Sequence, residues 1–302
     1  MKFRELGRTG EKISCIGMGT WKMGYDSKKE AAAISEGLRL GINLVDTAEM
    51  YNTEELVGRA IKGTGAFVAT KVSPHHFRRS ELIKACNASL KRLGVKSIDL
   101  YQLHWPNPNV PIKETMGAME YLLDEGKIRY IGVSNFSARE LREAQNALKH
   151  SDIVSNQVEF SPFVREIYDY LSKFCIRNHI SLLAYSPLWR GSVGELSRSR
   201  LYAELKEIGE RHGSTPFQVA LSWLCSKPQA IPIPKAASVA HVRENAAAAE
   251  LKLSKEEIDA INSADEVSIP PLASKLSGMA KKTTPLWSSI MQKRERLRKH
   301  GI

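Results

Sequence analysis

The sequence predicts an α/β chain closed into a parallel (β/α)8 barrel, with an N-terminal β-hairpin ahead of it and extra helices outside the ring. Three observations predict this. Strand-like runs alternate with helical periodicity eight times, glycines stand where several of the helices should stop, and no linker-like composition breaks the series. At 302 residues, 42% hydrophobic and 25% charged, the chain can bury a core of barrel size, so residues 1–302 are expected to form one domain.

Taken in order, Lys2 to Ile13 reads as a polar hairpin turning at Arg8-Thr9-Gly10, and Ser14 to Met18 as the first barrel strand. Lys28 to Leu40 carries Ala31, Ile34 and Leu38 on one helical stripe, and Gly41 stands at its C-terminal stop. Strand Asn43 to Thr47 is followed by helix Glu54 to Ile61. Strand Ala66 to Lys71 is followed by helix Ser80 to Leu93, with Gly94 as its stop. Strand Ser97 to His104 leads to helix Ile112 to Asp124, stopped at Gly126. The alternation continues with Ile128 to Ser134 and Ala138 to Leu148, then Ile153 to Val158 and Arg165 to Arg177. It ends with strand Ser181 to Tyr185 and helix Leu201 to Arg211, then strand Ala230 to Ile233 and helix Val239 to about Glu250. The helical segments Thr215 to Leu224 and Ser254 to Asn262 fit no slot in the ring and are placed outside it.

Composition narrows the class. Met1-Lys2-Phe3-Arg4-Glu5-Leu6 mixes charge with apolar residues, which fits neither a signal peptide nor a membrane anchor; a cytoplasmic protein is expected. Cys15, Cys86, Cys175 and Cys225 form no Cys-x-x-Cys pair and read as reduced core residues. Of the formal charge of +11, more than half falls in Lys281 to Ile302, which holds seven Lys or Arg against one acid within a basic C-terminal extension, 265–302. Such a run reads as a solvated tail, and no nucleic-acid motif accompanies it. Gly17-Met18-Gly19 with Gly24 lacks the spacing of a dinucleotide-binding loop, and Gly132-Val133-Ser134-Asn135-Phe136 lacks the second glycine of a nucleophile elbow. The adjacent His75 and His76 point to opposite sides of an extended segment, so they read as loop residues edging a pocket rather than metal ligands; no metal is expected.

The chemistry lies at strand ends. Asp46, Lys71 and His104 close the second, third and fourth barrel strands, Tyr51 follows the second, and the C-terminal strand ends of such a barrel form one mouth. Each alone has a plain reading, as a capping acid, a surface phenol, a snorkelling lysine and a core histidine. Together they suit proton transfer to a carbonyl oxygen. A phenol is a weak acid until a neighbouring ammonium favours its anion, so Lys71 would tune Tyr51. Asp46 would hold Lys71, and a neutral His104 would orient the carbonyl. Trp21, Tyr25, Trp105 and Trp189, all just beyond strand ends, suggest an aromatic wall around the substrate.

With these residues in view, the sequence resembles the aldo-keto reductase family, whose fold is the TIM barrel. The resemblance runs from Phe3 to about Asp265 and is carried by GINLVDTAEMYNTEELVG (Gly41 to Gly58), Lys71, Leu103-His104-Trp105-Pro106, Gly132 to Phe136 and Ile233-Pro234-Lys235. It implies a catalytic tetrad of Asp46, Tyr51, Lys71 and His104 with Tyr51 as general acid, and a substrate pocket of Trp21, Tyr51, His104 and Trp105. It also implies a nicotinamide cofactor held across the mouth by Gly19, Thr20, Trp21 and Asp46. Ser134, Asn135 and Gln157 would bind its carboxamide, and Tyr185 would stack on its ring beside Ser186, Pro187 and Leu188. Ile233, Pro234, Lys235, Ser238, His241 and Asn245 would hold the adenosine end, with Lys235 on the 2′-phosphate of NADPH. Gly41-Ile42-Asn43 departs from the family's usual glycine, aromatic, arginine, and only a packing effect is expected.

Ala236 and His241 stand where the family more often has a hydroxyl residue and an arginine. NADPH is therefore expected over NADH by a moderate margin, growing in mildly acidic solution, with Arg243 as an alternative phosphate ligand. The implied activity is NAD(P)H-dependent reduction of an aldehyde or ketone to an alcohol. Two readings from other classes stand beside it. One is a cofactor-binding regulatory subunit with little turnover; the other, on fold alone, is a glycoside hydrolase. The expected partner is a small carbonyl compound, with no nucleic acid and no membrane, on a monomer or weak homo-oligomer.

Overall fold

The computed structural model describes residues 1–189, 196–197 and 199–264. The predicted C-terminal extension, 265–302, lies outside the described residues. Strands β1 (Phe3–Glu5) and β2 (Lys12–Ser14) form the antiparallel hairpin. Eight parallel strands follow in spatial as well as chain order: β3 (Met18–Gly19), β4 (Leu44–Asp46), β5 (Phe67–Val72), β6 (Ile98–Leu103), β7 (Ile128–Ser134), β8 (Ile153–Glu159), β9 (Ser181–Tyr185) and β10 (Ala230–Pro232). The ring closes where the Gly17 N–H donates to the Pro232 carbonyl at 2.8 Å and the Gly19 N–H to the Pro234 carbonyl at 3.0 Å. Only glycine fits this seam, since a Cβ on Gly19 would meet the Ile233 carbonyl oxygen at 2.8 Å.

The first barrel strand is shorter than expected. Residues up to Ser14 pair with the hairpin instead, because Asn43 draws them there: its side chain accepts from the Ser14 N–H at 2.8 Å and donates to the Lys12 carbonyl at 2.7 Å. Asn43, one of the departures from the family motif, thus ties the hairpin to β4. Between β9 and β10 the outer place is also exchanged. Helix Pro216–Ser226 packs on β10, with Val219 to Leu224 all buried, while helix Arg200–His212 packs on it and on helix Lys255–Ser263. A helix apolar nearly all round has to be covered on all sides, and FQVALSWLC is such a segment.

Alternation along the strands builds the site. Leu44 and Asp46 share one face of β4, Phe67, Ala69 and Lys71 one face of β5, and Leu100 and Gln102 one face of β6, with His104 next in phase. The lower members of each series pack with Leu6 and Ile13 of the hairpin segment, Leu183 and Ile231 into an apolar interior that fills the barrel's N-terminal end. The polar members therefore collect at the other end, where the strands point their C-termini. The outward faces (Val45, Val68, Tyr101, Leu103) join the helices in a second, larger core. Gly41, Gly94 and Gly126 end their helices at φ of +87°, +66° and +66°, as their spacing predicts.

Candidate active site

Asp46 and Lys71 lie at the base of the mouth. Lys71, with no exposed surface, donates from Nζ to Asp46 Oδ1 at 2.6 Å and to the Thr47 carbonyl at 2.7 Å. Its Nζ stands 4.9 Å from the centroid of the Tyr51 ring. Tyr51 comes from a single 3-10 turn, Glu49–Tyr51, and its hydroxyl lies 3.5 Å from His104 Nε2. His104 stacks on Trp105 with ring centroids 3.8 Å apart. The turn is anchored by Glu49, which accepts from the Ser73 N–H at 2.9 Å and pairs with His76 Nδ1 at 2.8 Å. His76 lies against the loop carrying Tyr51, and neither it nor His75 is among the mouth-lining residues.

Electrostatics depart from expectation at the phenol. Burial, followed by the charges of Asp46 and Tyr185, pushes Tyr51 well above the ordinary phenol range. The Lys71 ammonium, 4.9 Å from the ring centroid, does not offset this rise in the resting site. Burial also pulls the Lys71 ammonium down, with Asp46 opposing. His104 is pushed well below the ordinary imidazole value of 6.5 by burial and then by Lys71, so it is neutral as expected.

That last shift sets a pH dependence of stability. The folded value of His104 is depressed, so the unfolded chain binds a proton there that the barrel refuses. The contribution is complete above 6.5 and is lost as pH falls from there toward the folded value. Wild-type stability to urea is expected to drop more steeply than that of His104→Gln below that point, the difference approaching about 1.4 kcal/mol per pH unit roughly one unit lower. Parallel slopes would show that His104 is protonated in the fold.

Around these groups opens a cavity of about 570 Å³. Gly19, Thr20, Trp21, Ser134, Asn135, Gln157, Tyr185, Ser186, Pro187, Leu188, Ile233, Pro234, Lys235, His241 and Asn245 all line it with Asp46, Tyr51, His104 and Trp105. Asn135, in a left-handed conformation at φ +64°, donates to the His104 carbonyl at 3.3 Å and accepts from the Tyr185 hydroxyl at 3.0 Å, joining three strand ends. Ser134 donates to the Gln157 carbonyl at 2.9 Å, and Gln157 Nε2 donates to Asp46 Oδ2 at 2.8 Å.

Four of the predicted residues take other places. Ser238 caps helix Val239–Ala247 by accepting from the His241 N–H at 3.3 Å and is not in the lining. Tyr25 is 90% exposed and Trp189 is buried, and neither lines the cavity. Arg243, the alternative phosphate ligand, points to Glu36 at 2.7 Å. Sequence reasoning missed Lys22, Phe217 and Glu244 in the lining. Lys22 adjoins Trp21 and was open to inspection, whereas Phe217 and Glu244 arrive on helices whose rotation no motif reveals.

Among the described residues no three His, Cys, Asp or Glu side chains gather as a metal site, and no helix is long and apolar enough to cross a membrane. Comparison with known proteins identifies the family. The family model described as "Aldo/keto reductase family" matches residues 15–266. The methylglyoxal reductase YeaE of Escherichia coli is 38% identical over 261 residues, covering 83% of this chain and 91% of that protein. Among solved structures, the thermostable aldo-keto reductase Tm1743 in complex with the inhibitor epalrestat is 41% identical with a TM-score of 0.82, over 87% of this chain and 99% of that one. An aldo-keto reductase from Klebsiella pneumoniae in complex with NADPH is 34% identical with a TM-score of 0.80, over 86% and 94% of the two chains.

Proposed function

The chain belongs to the aldo-keto reductase family, and from that premise we propose that it reduces an aldehyde or ketone to an alcohol, taking NADPH in preference to NADH. The observation that carries the reading is the Lys71–Asp46 pair at 2.6 Å beneath a mouth that presents Tyr51 and His104 together. The donor set fits the cofactor. Amide and hydroxyl groups of Ser134, Asn135 and Gln157 converge on one wall, the Tyr185 ring stands beside them, and Lys235 supplies a cation near the start of helix Val239–Ala247. Those residues would hold the nicotinamide and the 2′-phosphate, and the reduced nicotinamide supplies hydride when bound.

The chain supplies the proton. Tyr51 remains protonated because burial has raised it, so the donor is loaded at any working pH. His104 Nδ1 is buried without a partner, and the tautomer with its proton on Nε2 leaves only a lone pair unmatched there. Nε2–H then faces the same oxygen as Tyr51 and holds the carbonyl in place. Lys71, fixed by Asp46, offers positive charge beneath the phenol as the proton leaves. Trp21 and Trp105 wall off water on the substrate side.

The test is nicotinamide oxidation followed by absorbance across aldehydes, ketones and 2-oxoaldehydes, with each cofactor in turn. Turnover with NADPH is expected; tight NADPH binding without turnover on any carbonyl would favour the regulatory reading. In the same assay Lys235→Ala should raise KM for NADPH about 10- to 100-fold, the size of a lost charge-assisted hydrogen bond, and KM for NADH by about 2-fold at most. Equal losses with both would show that Lys235 does not read the 2′-phosphate.

A further inference from the structure

The second oxygen of Asp46 is occupied in a way that neither proton transfer nor cofactor binding requires. Oδ1 takes Lys71 at 2.6 Å, while Oδ2 accepts from Gln157 Nε2 at 2.8 Å and, at the longer distance of 3.4 Å, from Gln102 Nε2. Both glutamines are buried, Gln102 with no exposed surface at all. Strand register sets them there: Lys71 pairs with Gln102 and Gln102 with Gly132, so the three share one layer of the barrel interior. Gly132 leaves the room, for a Cβ on it would meet Gln102 Cγ at 2.8 Å.

Gln102 also keeps an unpartnered Oε1 in this buried layer. A buried carbonyl without a donor is unfavourable, and a leucine or methionine would fill the same space without it. The amide is therefore explained by what its N–H end does, and that end faces Asp46.

We propose that Gln157 and Gln102 are positioning residues for the proton-transfer step, gripping the far oxygen of Asp46 so that its near oxygen stays on Lys71. This rests on the function proposed above. Asp46 is otherwise free to turn about its terminal bond, and with two donors on one oxygen it has one productive setting. Burial pulls the Lys71 proton off and Asp46 opposes that pull, so a loosened carboxylate would release the proton at lower pH. The other ionisable groups facing this pair are Tyr51 from the 3-10 turn, His104 at the end of β6, Tyr185 at the end of β9, and Glu54 on helix Glu54–Ile61, which is itself paired with Arg92. Tyr51 and His104 face each other and Glu54 is taken by Thr70 and Arg92, so none of these contacts depends on either glutamine.

The two residues separate positioning from binding, because Gln157 lines the mouth and Gln102 does not. The experiment is kcat against pH for carbonyl reduction by wild type, Gln102→Met and Gln157→Met, with NADPH dissociation constants from fluorescence quenching. The basic limb of kcat is expected to move down by about one pH unit in Gln157→Met, the size of one charge-assisted hydrogen bond, and by about half a unit in Gln102→Met, whose contact is longer. NADPH affinity should stay within about 2-fold in Gln102→Met and fall in Gln157→Met. Gln102→Asn, which keeps the amide but shortens its reach, should move the limb in the same direction and serves if the methionine disturbs folding. A limb unmoved in folded Gln102→Met and Gln102→Asn overturns the proposal. Tyr51→Phe run alongside tells this failure from failure of the function itself, since only the latter would leave that variant active.

Discussion

Tyr51→Phe is expected to lower kcat for carbonyl reduction by about 10²- to 10⁴-fold while the NADPH dissociation constant stays within about 3-fold. The ring keeps its place between the Lys71 ammonium, 4.9 Å from its centroid, and the edge of His104, so only the proton donor leaves. Among the described residues no neighbouring phenol is set to replace it. The Tyr185 hydroxyl donates to Asn135 Oδ1 at 3.0 Å, and Tyr101, with no exposed surface, belongs to the outer core rather than the mouth. A water admitted by the missing hydroxyl could pass a proton less efficiently, which sets the lower end of the range. The measurement is single-turnover reduction with saturating cofactor. Near-wild-type rates would remove Tyr51 from the proton-donor role, whatever the variant does to substrate affinity.

Lys71→Met is expected to reduce turnover to a similar degree and, unlike Tyr51→Phe, to destabilise the fold. It strands Asp46, 2% exposed, without its counter-ion, and breaking a buried pair from one side costs about 3–5 kcal/mol. Urea unfolding measures that cost, and kcat corrected for folded protein measures the chemistry separately. The double variant Asp46→Leu with Lys71→Met should recover much of the stability, since two apolar side chains replace two paired charges, yet recover no turnover. Recovery of both would mean that the pair serves the fold alone.

Much of this was legible in the chain, for identifiable reasons. The alternation from Lys28 to Glu250 survives as barrel and helices because apolar periods of two and of 3.6 are local properties, and Gly41, Gly94 and Gly126 end helices at positive φ that their neighbours could not adopt without strain. Asp46, Lys71 and His104 meet because equivalent ends of adjacent parallel strands must lie together. Misplacements arose where the sequence pattern was silent. Ser14 fits a strand equally well in the hairpin or in the barrel, and Asn43 decides; the helices between β9 and β10 exchange places because burial on all sides outweighs order in the chain.

By itself, then, the sequence determined the barrel, its mouth and the four groups brought there, since each depends on residue type and spacing along one strand or helix. The tertiary structure alone decided what those groups feel. That burial and the Asp46 charge raise Tyr51, that Glu49 is held by the Ser73 N–H, that Arg243 turns to Glu36, and that Gln157 and Gln102 share one carboxylate oxygen all depend on residues remote in the chain. Register and burial set such distances, and an electrostatic interaction in a buried site depends on distance and surroundings, neither of which is written in any local run of residues.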